Sequence, residues 1–373
     1  MRVLLLDAAF AVEPIHRYLI GQGHQVWTIS NRPHDTLALS YPNQWIRGDY
    51  SDVSLVQDQI IRLGIEAVIP GCTDVSMETF TQLPQSDFFS YPSSADQVLG
   101  KKSLFRGLCA ELELPAPQAF ETDALPDDGI LICKPCDSFS GRGVTVFEAV
   151  DREARDQAIA RAKANSPSGE VVCENFVQGQ LYSFTAFIEH GQVVNAFVVR
   201  EGSHYDPFAV DTSYVAHDFS PALFDDCKAA VEAVAGRLQL CDGLIHTQFI
   251  SDGSGIALIE MSRRCPGDLY PMLIEYSTGF PFAARYASYF LGQAGPAWSA
   301  KSRPVLRHTI KHPGGRPFPG FGPLPCAGLM ELVPTVRAGE RLPDSPAARV
   351  AVSFYDLAES QALERAYTQL AQS

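Results

Sequence analysis

An α/β opening followed by a larger α+β body is the fold class this sequence predicts, and three features predict it. The start runs strand, helix, strand: Val3-Leu4-Leu5-Leu6, a helical pattern from about Glu13 to Gly21, then Gln25-Val26-Trp27-Thr28-Ile29. That order belongs to a parallel sheet with crossover helices. Through the middle, apolar runs are joined by the tight turns Glu189-His190-Gly191 and Asp252-Gly253-Ser254-Gly255, as in antiparallel hairpins. Past residue 300 a short β-rich tail ends in a helix from about Leu357 to Leu370. With 373 residues, 46% of them hydrophobic, the chain can build two or three cores. Breaks at Tyr91-Pro92-Ser93-Ser94 and Gly292 to Pro304 divide it into 1–92, 93–300 and 301–373.

Composition narrows the function classes. A formal charge of −14 argues against nucleic acid as a partner, because a phosphate backbone needs a basic surface. No run of about 18 apolar residues predicts a membrane span, and Met1-Arg2-Val3-Leu4-Leu5-Leu6-Asp7 turns acidic too soon for a signal peptide. Nine irregularly spaced cysteines fit a reduced cytoplasm. Cys133-Lys134-Pro135-Cys136 lacks the second pair that a zinc site would need.

In the first unit, Asp52 to Leu63 reads as a capped helix and Ala67-Val68-Ile69-Pro70 as a buried strand. Asp74 and Glu78 follow at that strand's carboxyl end, where open sheets bind ligands; taken singly, each is better explained as a helix cap or part of a solvated helix face. No G-x-G-x-x-G follows the first strand, against nicotinamide or flavin binding there. In the second unit Ala95 to Leu114 reads as one helix bearing Lys101 and Lys102, stopped by Pro115 and Pro117. Ile130-Leu131-Ile132-Cys133-Lys134 is a strand ending in a lysine. Its loop, Cys136 to Gly143, can wrap phosphate oxygens with exposed amides or serve as an ordinary hairpin. Residues 200–221 are polar, aromatic and irregular, as in an ordered loop beside a ligand.

The most informative stretch is Ile256 to Arg264. An apolar strand there ends on Glu260, Ser262, Arg263 and Arg264, and strand alternation puts Leu258, Glu260, Ser262 and Arg264 on one face. Across the 252–255 turn, Gln248 comes to lie beside Glu260. The acid is then either a hard ligand for a phosphate-bound cation or half of a buried ion pair.

Taken in order, these elements resemble the ATP-grasp superfamily over most of residues 1 to about 300. Lys102 stands on a helix before Pro115, Lys134 ends a strand before the 136–143 loop, and Glu174-Asn175-Phe176-Val177 is similar to the hinge segment. Gln248 and Glu260 fall where that family has two metal-binding acids, and Arg264 where its E-x-N-x-R motif ends. The resemblance implies a Rossmann-like N-terminal domain, a two-subdomain ATP-grasp fold that holds ATP, and a small β-rich C-terminal domain that caps the site or pairs two copies in a homodimer. It implies Lys102 and Lys134 on the phosphates under Ser138, Ser140, Gly141 and Gly143. Glu174 would meet the adenine amino group, with Asn175, Phe176 and Val177 alongside. Glu260 and Gln248 would hold Mg²⁺ or Mn²⁺, and Arg264 would stabilise an acyl phosphate.

Gly243-x-x-His246-Thr247-x-Phe249 and Gly267-Asp268 look most like carboxylate–amine ligases of the amino-acid or dipeptide kind. The expected activity therefore joins a small-molecule carboxylate to an amine in the cytoplasm, with ATP as the energy source. Three positions depart from the family pattern: Gln248 for an acid, Ser262 for an asparagine, and Leu181 for a ribose-binding acid, with Gln180 or Tyr182 as substitutes. Arg263, Arg264, Asp268, His204 and Tyr214 are the candidates for substrate contact. A biotin-carboxylase-like enzyme and a non-catalytic ATP-binding protein with a degenerate metal site are the competing readings.

Overall fold

The computed structural model describes residues 1–84, 89–138, 141–323 and 327–371. Its first unit alternates β1 (Arg2–Leu6), α1 (Glu13–Gly21), β2 (Gln25–Ser30), α2 (Thr36–Ser40), β3 (Trp45–Arg47), α3 (Val53–Leu63), β4 (Ala67–Pro70) and α4 (Asp74–Gln82). The strands form a parallel sheet in the order β3-β2-β1-β4. Central β1 is buried on both faces, which is why it reads as an unbroken apolar run. Asp52 caps α3 through the Leu55 N–H, and Thr73 caps α4 through the Ser76 N–H. The second cap starts α4 just past the carboxyl end of β4, so Asp74 stands at the rim of the sheet.

The helix predicted over 95–114 is two helices, α5 (Ser93–Gly100) and α6 (Lys102–Glu111). Lys101 between them is extended, following a glycine that favours helix weakly. The break lets the Lys102 N–H reach the Cys136 carbonyl at 3.3 Å, tying the start of α6 to the root of the 136–143 loop. A small sheet follows, built from β5 (Ala119–Phe120), β6 (Ile130–Pro135), β7 (Thr145–Glu148) and β8 (Val171–Asn175) in the order β5-β8-β6-β7. The helix α7 (Arg152–Ala164) covers one face through a core that includes Leu131, Cys133, Phe147, Ala158 and Cys173. The opposite face carries Lys134 and Glu174.

The third sheet is the largest. It comprises β9 (Gln180–Glu189), β10 (Gln192–Gly202), β11 (Thr212–Val215), β12 (Gly243–Ser251), β13 (Ile256–Ser262), β14 (Val305–His312), β15 (Leu329–Pro334) and β16 (Ala348–Asp356). Their order is β13-β12-β9-β10-β11-β14-β16-β15, antiparallel throughout. The strands after residue 300 thus extend the same sheet. On one face pack α8 (Pro221–Arg237) and, later in the chain, α11 (Ser360–Ala371), meeting Phe184 through Phe224 and Tyr214 through Tyr367. On the other pack α9 (Tyr270–Thr278) and α10 (Phe282–Leu291), where Phe280, Phe282 and Tyr289 surround Phe187. Alternation along β9 therefore sorts side chains: Ser183, Thr185 and Phe187 face α9, whereas Tyr182 and Phe184 face α8. The irregular segment is shorter than the sequence suggests, since β10 runs to Gly202 and β11 begins at Thr212.

Candidate active site

Lys134 closes β6 with its ammonium buried, on the same face as Glu174 of β8. Glu174 is fully buried and accepts from both Lys134 and Arg106, whose Nε lies 2.8 Å from its Oε2. Burial raises the Glu174 carboxyl, but Lys134 and then Arg106 outweigh it and leave it below the ordinary range. Lys134 is lowered, by burial first, with Arg106 and Lys102 adding repulsion that Glu174 does not cancel. Two buried cations thus share one carboxylate, with Lys102 close by. Such a pocket favours an incoming anion. Glu174, expected at an adenine amino group, has its carboxylate engaged by the two cations instead.

Lys102, the first residue of α6, donates from Nζ to the Ser138 carbonyl at 2.9 Å. It holds the described part of the loop; Ser140 lies outside the described residues. Gly141 has φ +70 and backs onto Phe208, so that a Cβ there would stand 2.7 Å from the Phe208 Cβ. Gly143 has φ +75 and is walled by Pro135 and Asn165. Both positions suit glycine alone. In the hinge segment the Phe176 N–H is taken by the Ile130 carbonyl and the Asn175 N–H by the Gln118 carbonyl; Val177 adjoins them at the turn into β9.

From Lys102 a line of charges crosses into the large sheet. Lys102 acts on Asp74, Asp74 pairs with Arg264, Arg264 acts on Glu260, and Glu260 acts on Glu201. The Asp74 side chain stays 58% accessible, yet protein walls it closely enough for burial to raise its carboxyl. Arg264 and Lys102 more than reverse that rise. Asp74 and Arg264 accordingly lie in an open cleft, on neither the outer surface nor the core. Beside them His246 is buried, 2.8 Å from the Thr185 hydroxyl, and burial pushes its pKa down to about 3, so it is neutral at physiological pH.

Gln248 stands directly opposite Glu260 in the β12–β13 register, as the sequence suggests. A β-bulge at the next position changes the expected face, however. Leu258 joins Met261 in the core, and Glu260 does not share its side. Gln248 Nε2 donates to Glu201 Oε2 at 2.7 Å, and the Tyr270 hydroxyl donates to the other oxygen. Glu201 is 1% exposed, and burial pushes its pKa up to about 7.

Several candidates are not brought to the cleft. Arg263 alternates away from Glu260: it is 1% exposed, bonds the Cys241 and Asp242 carbonyls at 2.9–3.1 Å and lies over the rings of Phe89 and Tyr91. It is a core arginine. Gln180 and Tyr182 fall on the α8 and α11 face of the sheet. There Gln180 accepts from Arg200, and Tyr182 stacks on Phe249. Tyr214 shares that face, bonded to Arg200 and Glu364, beside a recess of about 250 Å³. His204 is exposed with its ring against Tyr205.

Asp268 is engaged by Arg307 and Arg349, in a role not foreseen. It and Leu269 are consecutive left-handed residues, φ 57 and φ 61, a costly backbone that surrounding contacts must hold. Arg307 supplies them, bonding the Asp268 carbonyl at 2.6 Å, and Arg349 reaches its carboxylate at 2.9 Å. This turn starts α9 and sets Tyr270 on Glu201. Sequence reasoning missed Arg307, fully buried in β14. The sequence offered little signal for it, because β14 also carries His308, Thr309, Lys311 and His312 and does not read as an apolar strand.

No protein-family model matches the chain, and no curated protein matches it in sequence. Solved structures do. An L-amino acid ligase from Bacillus licheniformis superposes with a TM-score of 0.76 at 14% identity, covering 100% of this chain and 97% of that one. A phosphoribosylglycinamide synthetase from Anaerococcus prevotii gives 0.74 at 14% identity, covering 100% and 98%. A biotin carboxylase from Campylobacter jejuni, solved with β,γ-ATP, gives 0.75 at 13%, covering 98% and 89%. Among the described residues no helix is long and apolar enough to cross a membrane. At these identities the likeness is one of architecture, and the chain adopts the ATP-grasp fold.

Proposed function

We propose that the protein is an ATP-dependent carboxylate–amine ligase, which activates a small-molecule carboxylate as an acyl phosphate and transfers the acyl group to an amine. The observation that carries this reading is the convergence of Lys134, Lys102, Arg264 and Glu260, from four separate places in the chain, along one cleft of an ATP-grasp fold.

A carboxylate is a poor electrophile until phosphorylation gives it a leaving group. Lys134 and Lys102 supply the charge that a triphosphate needs, and Arg106 leaves that pocket with more cation than acid. The loop at Gly141 and Gly143 covers the transferring group and excludes water, which would hydrolyse the acyl phosphate. Arg264, steadied by Asp74, stands ready for the negative charge that develops as the carboxylate is phosphorylated and then attacked. Glu260 is a partly exposed carboxylate without an ion pair among the described residues, and Gln248 offers an amide oxygen opposite it. Hard oxygen donors of this kind fit Mg²⁺ or Mn²⁺; Glu260 and Gln248 would hold the ion, which would supply positive charge against the phosphates.

The test is ADP and phosphate release across pairs of amino acids and amines, with a biotin-plus-bicarbonate arm because biotin carboxylase shares the fold. The reading expects release only when carboxylate and amine are both present. Biotin-dependent release would replace it with a carboxylase. Tight nucleotide binding without turnover on any substrate would replace it with a binding protein.

A further inference from the structure

We propose that Glu201 supplies the negative charge that Gln248 lacks, and that Glu201 and Glu260 together form the carboxylate pair for the divalent cation carried by the nucleotide. This rests on the ligase reading for its nucleotide site. A phosphate-bound Mg²⁺ usually keeps one or two protein carboxylates. Position 248, opposite Glu260, holds a neutral amide. That amide turns its nitrogen toward Glu201, 2.7 Å away, so its oxygen points elsewhere, free to ligate.

Three observations single out Glu201. It is buried among neutral hydrogen-bonding groups, Gln248 and Tyr270 with the Ser183 hydroxyl alongside, and no ion pair reaches it among the described residues. A carboxylate in that setting is costly unless a cation joins it. The bonds from Gln248 and Tyr270 take one lone pair on each of its oxygens and leave acceptor capacity for a cation. Glu260 lies near enough for the two charges to repel, as befits acids meant to share a cation. Independently, Ser213 sits directly opposite Glu201 in the β10–β11 register, fully buried, with a hydroxyl that has no hydrogen-bond partner among the described residues. That orphaned oxygen is a further hard donor beside the carboxylate. The acid has in effect moved from β12 to β10, two strands away in the sheet, and reaches back across the small Ser183.

The experiment titrates Mn²⁺ into the full-length protein saturated with an ATP analogue whose β- and γ-phosphates are joined by an imido bridge, read by electron paramagnetic resonance. Glu201→Gln keeps an oxygen to accept from Gln248 and turns an NH2 to the Tyr270 hydroxyl, which can rotate to accept from it, so the change removes charge while sparing shape. The Mn²⁺ Kd is expected to rise at least about tenfold in Glu201→Gln. It should return to within about threefold of wild type in Glu201→Gln/Gln248→Glu. Unchanged Mn²⁺ affinity in the single variant, with analogue binding intact, overturns the proposal and leaves the ligase reading standing. So does a weakening that the double variant fails to reverse. Should Glu201→Gln not fold, Glu201→Asp, which keeps the charge but draws it back from Gln248, is expected to raise the Mn²⁺ Kd at least about threefold, and unchanged affinity overturns the proposal. A wild-type protein that does not bind the analogue overturns the ligase reading itself.

Discussion

Asp74, in the first turn of α4, and Arg264, just past the end of β13, form an ion pair that joins the parallel-sheet unit to the large antiparallel sheet. The two residues are far apart in sequence, and each has a bland local explanation, a helix-start acid and a strand-end base. Paired in an open cleft, they hold a guanidinium steady beside Glu260.

Asp74→Asn should therefore affect chemistry more than folding. The pair is partly solvated, so its loss is expected to cost less than about 1 kcal/mol in urea denaturation. An unsteadied Arg264 is expected to lower kcat at least about tenfold, with a smaller change in KM for ATP. Unchanged kcat would remove Asp74 from any positioning role.

Glu174→Gln should do the reverse. Leaving Lys134 and Arg106 buried without their carboxylate is expected to cost about 3–5 kcal/mol. The sign of the pH dependence follows from the lowered Glu174 carboxyl. Its contribution is complete above the ordinary carboxylate range and disappears as the pH falls through the lower folded value. Denaturation curves between pH 7 and pH 3 should show the wild type losing stability in acid more steeply than the variant. Parallel curves would show that Glu174 is not ionised in the folded protein.

Arg263→Ala separates a core arginine from a substrate arginine. The loss of its carbonyl hydrogen bonds and its contacts with Phe89 and Tyr91 is expected to cost about 2–4 kcal/mol. Turnover per folded molecule should stay within about twofold. A selective rise in KM for the carboxylate substrate would restore the substrate role.

Gly141→Ala probes the loop. The left-handed backbone and the Phe208 contact both disfavour a methyl group, so the KM for ATP is expected to rise about tenfold. Phe208→Gly in the same chain, which removes the Cβ that the new methyl group meets, should recover part of that loss if the contact matters. Strict additivity of the two substitutions would show that it does not.

Residue order alone determined much of this protein. The apolar first strand, the paired hairpins, the lysine that ends β6, and Gln248 opposite Glu260 all depend on neighbours close in sequence, where alternation and turn chemistry act directly. The tertiary structure decided what those side chains became. A one-residue bulge turned Leu258 inward, and alternation sent Arg263 into the core and Tyr182 to the far face. Glu174 acquired Arg106 from α6, Asp74 acquired Arg264, and Glu201 came to rest against Gln248 across an intervening strand. A charged group's role is set by the charges and solvent around it, and here those come from parts of the chain that only folding brings within a few ångströms.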